Sequence, residues 1–175
     1  MKIIAFAASS SRQSINKQLV SYAASLVENA QVEVLDINDY EMPLYSADRE
    51  AELGKPQLAQ DFLDKIATAD ALVIGFAEHN GYYTAAYKNL FDWSSRTLQK
   101  VYQHKPMVLL ATSPGPGGAA TVLAAAVGSA PFFDGEVKAH LSIPSFYDNF
   151  DADKGQLKKG ELAEKLASAM AMLSQ

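Results

Sequence analysis

Five short apolar runs separated by helical repeats limit what this chain can fold into more than any other feature. The runs are Lys2–Ala8, Val32–Ile37, Ala71–Ala77, Met107–Thr112 and Val137–Ile143. Short, continuous and bounded by polar residues, they read as strands buried on both faces. Helical patterns lie between and after them: Ser14–Asn29, Gln57–Ala69, Thr84–Lys100, Gly117–Gly128 and Gly160–Leu173. In the first, Ile15, Leu19, Tyr22, Ala23, Leu26 and Val27 recur at helical spacing. Strand–helix alternation implies a parallel sheet with helices on both faces, because a parallel crossover needs a connection long enough to hold a helix.

Five strands and five helices fit the α/β class with a flavodoxin-like sheet, five parallel strands in the order 2-1-3-4-5 and helices on both faces. One domain spanning 1–175 is expected, since this length supports a substantial core. Two polar stretches, Asp39–Pro56 and Pro144–Lys159, read as long loops, the second with Phe146, Tyr147 and Phe150 as possible anchors.

The absence of cysteine excludes disulfides, thiolate catalysis and zinc–thiolate sites. Fifteen basic against twenty acidic residues argue against a nucleic-acid partner. The apolar start, Lys2–Ala8, gives way at once to Ser9-Ser10-Ser11-Arg12, too early for a secretory core, and no run approaches a membrane span. A cytoplasmic protein without a membrane partner is expected. His79, His104 and His140 have no metal-ligand spacing, so no metal is expected. His104 reads as a solvated turn residue, and His140 as a paired, half-buried strand residue.

Three loops carry the chemistry. Ser9-Ser10-Ser11-Arg12-Gln13-Ser14-Ile15-Asn16 follows the first strand and opens the first helix. Hydroxyls, a guanidinium, an amide and a helix amino terminus together suit a phosphate. A simple helix cap at Ser14 is the plainer alternative. Ala77-Glu78-His79-Asn80-Gly81-Tyr82-Tyr83 follows the third strand. Asn80-Gly81 is a turn signal in its own right, and Tyr87 and Trp93 fall at helical core positions. Thr112-Ser113-Pro114-Gly115-Pro116-Gly117-Gly118 follows the fourth strand, with three glycines that permit close backbone approach. In the expected strand order all three loops share one sheet edge, where ligands of open α/β sheets bind.

At these residues the chain resembles the NADPH-dependent FMN reductase family, which includes quinone, azo-dye and chromate reductases. The family's G-S-x-R-x-x-S-x-N is approximated, one position shorter between Arg and Ser, by Ser9-Ser10-Ser11-Arg12-Gln13-Ser14-Ile15-Asn16. P-E-Y-N-G-S appears as Ala77-Glu78-His79-Asn80-Gly81-Tyr82, followed by Lys88-Asn89 and Asp92-Trp93. S-P-G-x-x-G-G is approximated by Ser113-Pro114-Gly115 with Gly117-Gly118. The resemblance implies that Ser10, Arg12, Ser14 and Asn16 hold an FMN phosphate. It implies that Glu78, His79, Asn80 and Gly81 line the ribityl chain and ring, and that Ser113, Gly115 and Gly118 approach from the other side. Ser9, Ala77, His79 and Tyr82 replace the family's Gly, Pro, Tyr and Ser.

The implied function is hydride transfer from NAD(P)H through FMN to a small acceptor such as a quinone, azo compound, free flavin or metal oxyanion, with no obligatory catalytic side chain. The changed His79 and Tyr82 motivate an alternative, an FMN-binding electron-transfer or regulatory protein without NAD(P)H turnover. Aromatic residues around Tyr82, Tyr83, Tyr87, Phe91 and Trp93, with the family's habit, imply a homodimer or homotetramer.

Overall fold

Alternation along three central strands divides the core between the two faces of one sheet. The structure, a computed structural model, describes residues 1–174. The strands are β1 (Lys2–Ala8), β3 (Ala71–Phe76) and β6 (Lys105–Thr112), flanked by β2 (Gln31–Leu35) and β7 (Gly135–Ile143). All pairings are parallel, in the order β2-β1-β3-β6-β7. Counted within this sheet alone, that is the expected 2-1-3-4-5. Ile4, Phe6, Leu72, Ile74, Phe76, Met107 and Leu109 face one side. Ile3, Ala5, Val73, Val108 and Leu110 face the other. A period of two on strands buried from both sides produces this division.

The first face is covered by α3 (Gln57–Ala67), α4 (Ala85–Thr97) and α5 (Ala120–Ser129). The second carries α1 (Ile15–Ser25) and α7 (Glu161–Ala171). Helix α1 lies close on β3 because Gly75 has no side chain; a Cβ there would meet Val20 Cγ1 at 2.6 Å and the Asn16 carbonyl at 3.1 Å. The apolar runs therefore mark the strands to within two residues at each end. The second strand stops at Leu35, not Ile37, because Asp36 turns its carboxylate onto the Asn38 N–H and caps a 3₁₀ turn over Ile37–Tyr40. The first helix ends at Ser25, not Asn29, and Asn29 adopts a left-handed conformation before β2.

The two expected loops both contain structure. Within 39–56 lies α2 (Ala47–Leu53), capped by Ser46 and burying none of its residues. The stretch before it is fastened from α4. Trp93 Nε1 donates to the Pro43 carbonyl at 2.7 Å, and Asn89 donates to the Met42 carbonyl at 3.0 Å while accepting from Tyr45 N–H at 2.8 Å. The Tyr45 ring stands edge-on to Trp93, with centroids 5.0 Å apart. Within 144–159 lie a short helix, α6 (Phe146–Asn149), and a hairpin of β8 (Phe150–Asp151) and β9 (Gln156–Leu157). Phe146 and Phe150 are buried anchors, stacked at 4.6 Å, but Tyr147 is 67% exposed. His104 is in an exposed turn, as expected, whereas His140 is exposed on the edge strand and not half-buried. No described helix is long and apolar enough to cross a membrane.

Candidate functional site

Strands β1, β3 and β6 are neighbours, so the loops that leave their carboxyl ends emerge side by side. They enclose an open cleft of about 250 Å3. Ser9, Ser11, Gln13, Ser14, Ile15 and Asn16 form one wall. Ala77, Glu78 and His79 form the second, Thr112, Ser113 and Pro114 the third, and Tyr147 stands at the rim.

The first wall is rich in hydrogen-bond donors. Ser14 is the N-cap of α1, and its Oγ accepts from Lys17 N–H at 3.1 Å. Ser9 Oγ accepts from Ser11 N–H, and Ser11 Oγ from Gln13 N–H. In each case the hydroxyl oxygen fixes the backbone while its own proton has no acceptor among the described residues. The N–H groups of Ile15 and Asn16, in the first turn of α1, likewise have no protein acceptor there. The first turn contains no acidic residue to answer the positive end of the helix dipole. Unspent O–H and N–H donors at a helix amino terminus suit a phosphate. The Ser14 cap uses only the hydroxyl oxygen, so capping leaves the hydroxyl proton of Ser14 free to donate.

Asn16 has a further task. Its Nδ2 donates to the Thr112 carbonyl at 3.1 Å, and its Oδ1 accepts from Thr112 N–H at 3.0 Å. The β3–β6 ladder ends at Phe76 and Ala111, one residue short of Thr112. The Asn16 amide therefore bonds both backbone groups of Thr112 just beyond the end of the β3–β6 ladder, and ties the first wall to the third. Glu78 is also committed: its Oε2 accepts from Val122 N–H at 2.8 Å, in the first turn of α5, so a carboxylate on the second wall caps a helix beside the cleft.

The loop after β3 is a hairpin. Glu78–His79 (β4) pairs antiparallel with Tyr82–Tyr83 (β5) across Asn80-Gly81, both with positive φ, 53° and 77°. A two-residue turn of this kind requires left-handed backbone at both positions, which Asn and Gly supply. Thr84 then caps α4 and donates to the Ala8 carbonyl at 3.0 Å, which anchors the hairpin base to β1.

Of the expected ligand residues, Ser14, Asn16, Glu78, His79 and Ser113 line the cleft; Ser10, Arg12, Asn80, Gly81, Gly115 and Gly118 do not. Ser10 faces the 37–44 segment, where its carbonyl accepts from Asn38. Arg12 lines an adjoining groove. Asn80 and Gly81 form the exposed hairpin tip. The carbonyls of Gly115 and Gly118 turn away, accepting from Ser145 N–H and Ser142 Oγ. Ser9, Ser11 and Gln13 complete the first wall; clustered hydroxyls were the signal for the two serines, and the amide among them for Gln13. Tyr147 joins the site from a distant segment, with no local signal. The aromatic surface expected near the hairpin is smaller than its composition suggests. Tyr87 and Trp93 are buried, which leaves Tyr82, Tyr83 and Phe91. Burial pushes the Tyr87 and Tyr102 phenols well up, and their hydroxyls bond each other at 2.8 Å.

A sequence model of the NADPH-dependent FMN reductase family matches residues 1–148. The chain belongs to that family. The family's description names NADPH as the reductant and FMN as the flavin that is reduced. The 2-hydroxy-1,4-benzoquinone reductase of a Burkholderia species is 37% identical over 122 residues, 69% of this chain and 64% of that one. A quinone reductase of Escherichia coli K12 is 34% identical over 97 residues, 55% of this chain and 49% of that one. The chain thus spans less than two thirds of the length of these curated relatives. Among solved structures, the flavoenzyme NAD(P)H:(acceptor) oxidoreductase FerB of Paracoccus denitrificans superposes with a TM-score of 0.76 at 25% identity. That match covers 99% of this chain and 95% of FerB. The donor set of the cleft fits FMN: anion-seeking groups stand at one end, and His79, Pro114 and Tyr147 offer ring contacts around the rest.

Proposed function

We propose that this member of the FMN reductase family is an NAD(P)H oxidoreductase that passes a hydride through FMN to a small acceptor. The acceptor would be a quinone, an azo compound, a free flavin or a metal oxyanion. The observation that carries the reading is the first wall, where three hydroxyl protons and the leading N–H groups of α1 are left without protein acceptors beside a cleft formed by three loops. Bound there, FMN supplies reversible two-electron chemistry. Ser9, Ser11, Ser14 and the α1 amino terminus would hold the phosphate, with Arg12 adding charge from its edge. His79 and the hairpin would flank the ring, oriented by the Glu78 bond to α5, while Ser113 and Pro114 would flank it opposite. The open cleft leaves room for a reductant and an acceptor to come and go in turn.

Residues 1–175 would act as one FMN-binding domain in a cytoplasmic homodimer or homotetramer. Half-exposed Tyr82 and the 83%-exposed Phe132 favour self-association. Gel filtration at the 18.9 kDa monomer position would count against it. For the activity itself, FMN-loaded protein should oxidise NADPH when a quinone is added. Bound FMN without turnover would favour the electron-transfer or regulatory alternative, and failure to take up FMN would remove both readings.

A further inference from the structure

We propose that a ring-sized pocket between the β4–β5 hairpin and α4 is a second binding site, one that takes a neutral single-ring phenol. The pocket measures about 180 Å3. An apolar cavity of about 150 Å3 already binds benzene, whereas drug-sized ligands occupy roughly 300–1,000 Å3. One six-membered ring fits here; a flavin or a nucleotide does not. The pocket shares no lining residue with the cleft. Glu78 and His79 of β4 line the cleft, while Tyr82 and Tyr83 of β5 line the pocket, so the hairpin stands between the two. Occupancy of the pocket is thus independent of the flavin reading of the cleft.

The walls are aromatic. Tyr87, Phe91 and Ser95 are spaced four apart on α4 and share one face of it. Phe91 stands edge-on to Phe133 with centroids 4.6 Å apart, and Tyr83 packs against Tyr87 at 5.3 Å. Walls that present both faces and edges of rings suit another ring, which stacks on one and meets the edge of the next. The inner end is polar. Tyr87 and Tyr102 are 2% and 5% exposed, and their hydroxyls bond each other at 2.8 Å. That bond uses one of the two hydroxyl protons; the other has no acceptor among the described residues. Leaving a buried donor unmet is costly, and a ligand oxygen that accepts from it removes the cost. The outer end carries Lys88 and Asp92, part-exposed and paired at 2.7 Å. Paired, they offer no net charge to draw in a benzoate or an anilinium. An uncharged ring bearing one hydroxyl oxygen answers both ends.

The test is titration of the full chain, flavin-free and FMN-loaded, with phenol and with toluene, followed by nuclear magnetic resonance of the backbone amides. Shifts should centre on Tyr82, Tyr83, Phe91, Ser95 and Ser129, not on Ser11, Ser14 and Asn16, and should be alike with and without FMN. Phenol should bind about fivefold or more tightly than toluene, which has the same shape without the oxygen. A double variant, Tyr87→Phe with Tyr102→Phe, removes both hydroxyls and so leaves no orphan; toluene should still bind, and the preference for phenol should vanish. Ser95→Phe fills the pocket from a side chain whose hydroxyl bonds only the Asp92 carbonyl of its own helix. It should weaken both rings about tenfold or more and leave FMN affinity within about threefold. Neither ring binding to the wild-type chain would overturn the proposal. So would shifts centred on the cleft, or a phenol-to-toluene ratio unmoved by the double variant.

Discussion

Replacing Asn16 with alanine separates a structural role from a ligand role. In the folded chain the side chain is 2% exposed and makes both hydrogen bonds to the Thr112 backbone, at 3.0 and 3.1 Å. Thr112 is 1% exposed, and β3 ends before it can pair there. Truncation therefore strands a buried N–H and a buried C=O at once. Each net bond is worth about 1 kcal/mol, and an orphaned partner costs about 1–3 kcal/mol, so the loss should be about 2–4 kcal/mol. Against a typical total of about 5–15 kcal/mol that is a large fraction. With a urea slope of about 2 kcal/mol/M the midpoint should fall by about 1–2 M at unchanged slope. The measurement is urea unfolding of the flavin-free chain, followed by circular dichroism. A loss below about 0.5 kcal/mol, with FMN affinity nonetheless collapsed, would refute the structural role of the Asn16–Thr112 bonds and return Asn16 to direct phosphate contact.

Other outcomes follow from the same contacts. Trp93→Phe should cost about 1–2 kcal/mol in urea unfolding, because the Pro43 carbonyl loses the indole N–H but keeps Asn89 at 3.2 Å. Glu33 is held below its ordinary value of 4.5, first by its bond to Lys65 and then by Lys2. A lowered folded value stabilises above the unfolded value and is lost as pH falls through the folded one, so Glu33→Gln should flatten the acid limb of stability below about pH 4.5. Tyr87 and Tyr102 are pushed above 10.0 by burial, so their stabilisation is intact below that pH and is lost as pH rises toward the folded values. An ultraviolet phenolate titration should find two of the eight tyrosines silent until the fold is lost.

The sheet was legible because strands buried on both faces leave continuous apolar runs, and the helices between them leave a 3.6-residue repeat. Helix α2 was not legible, since it buries nothing and so has no apolar stripe to show. The hairpin after β3 was half visible: Asn80-Gly81 announced a turn, but two-residue strands are too short to alternate. At the site, the loops could be found from their donors and glycines, but not the partner each residue would take. Asn16 and Glu78 read as ligand groups, and the structure commits them to Thr112 and Val122. Tyr147 and Phe146 are adjacent and alike in sequence, yet one is exposed at the rim and the other buried, because only the packing of α6 against Phe150 distinguishes them.

A phosphate held by the first wall is most directly tested by titrating the flavin-free chain with FMN and, separately, with riboflavin, which lacks that group. FMN should bind at least a hundredfold more tightly, and the advantage should shrink when Ser11 and Ser14 are both replaced by alanine. Equal affinity for the two flavins, or no affinity for either, would contradict it.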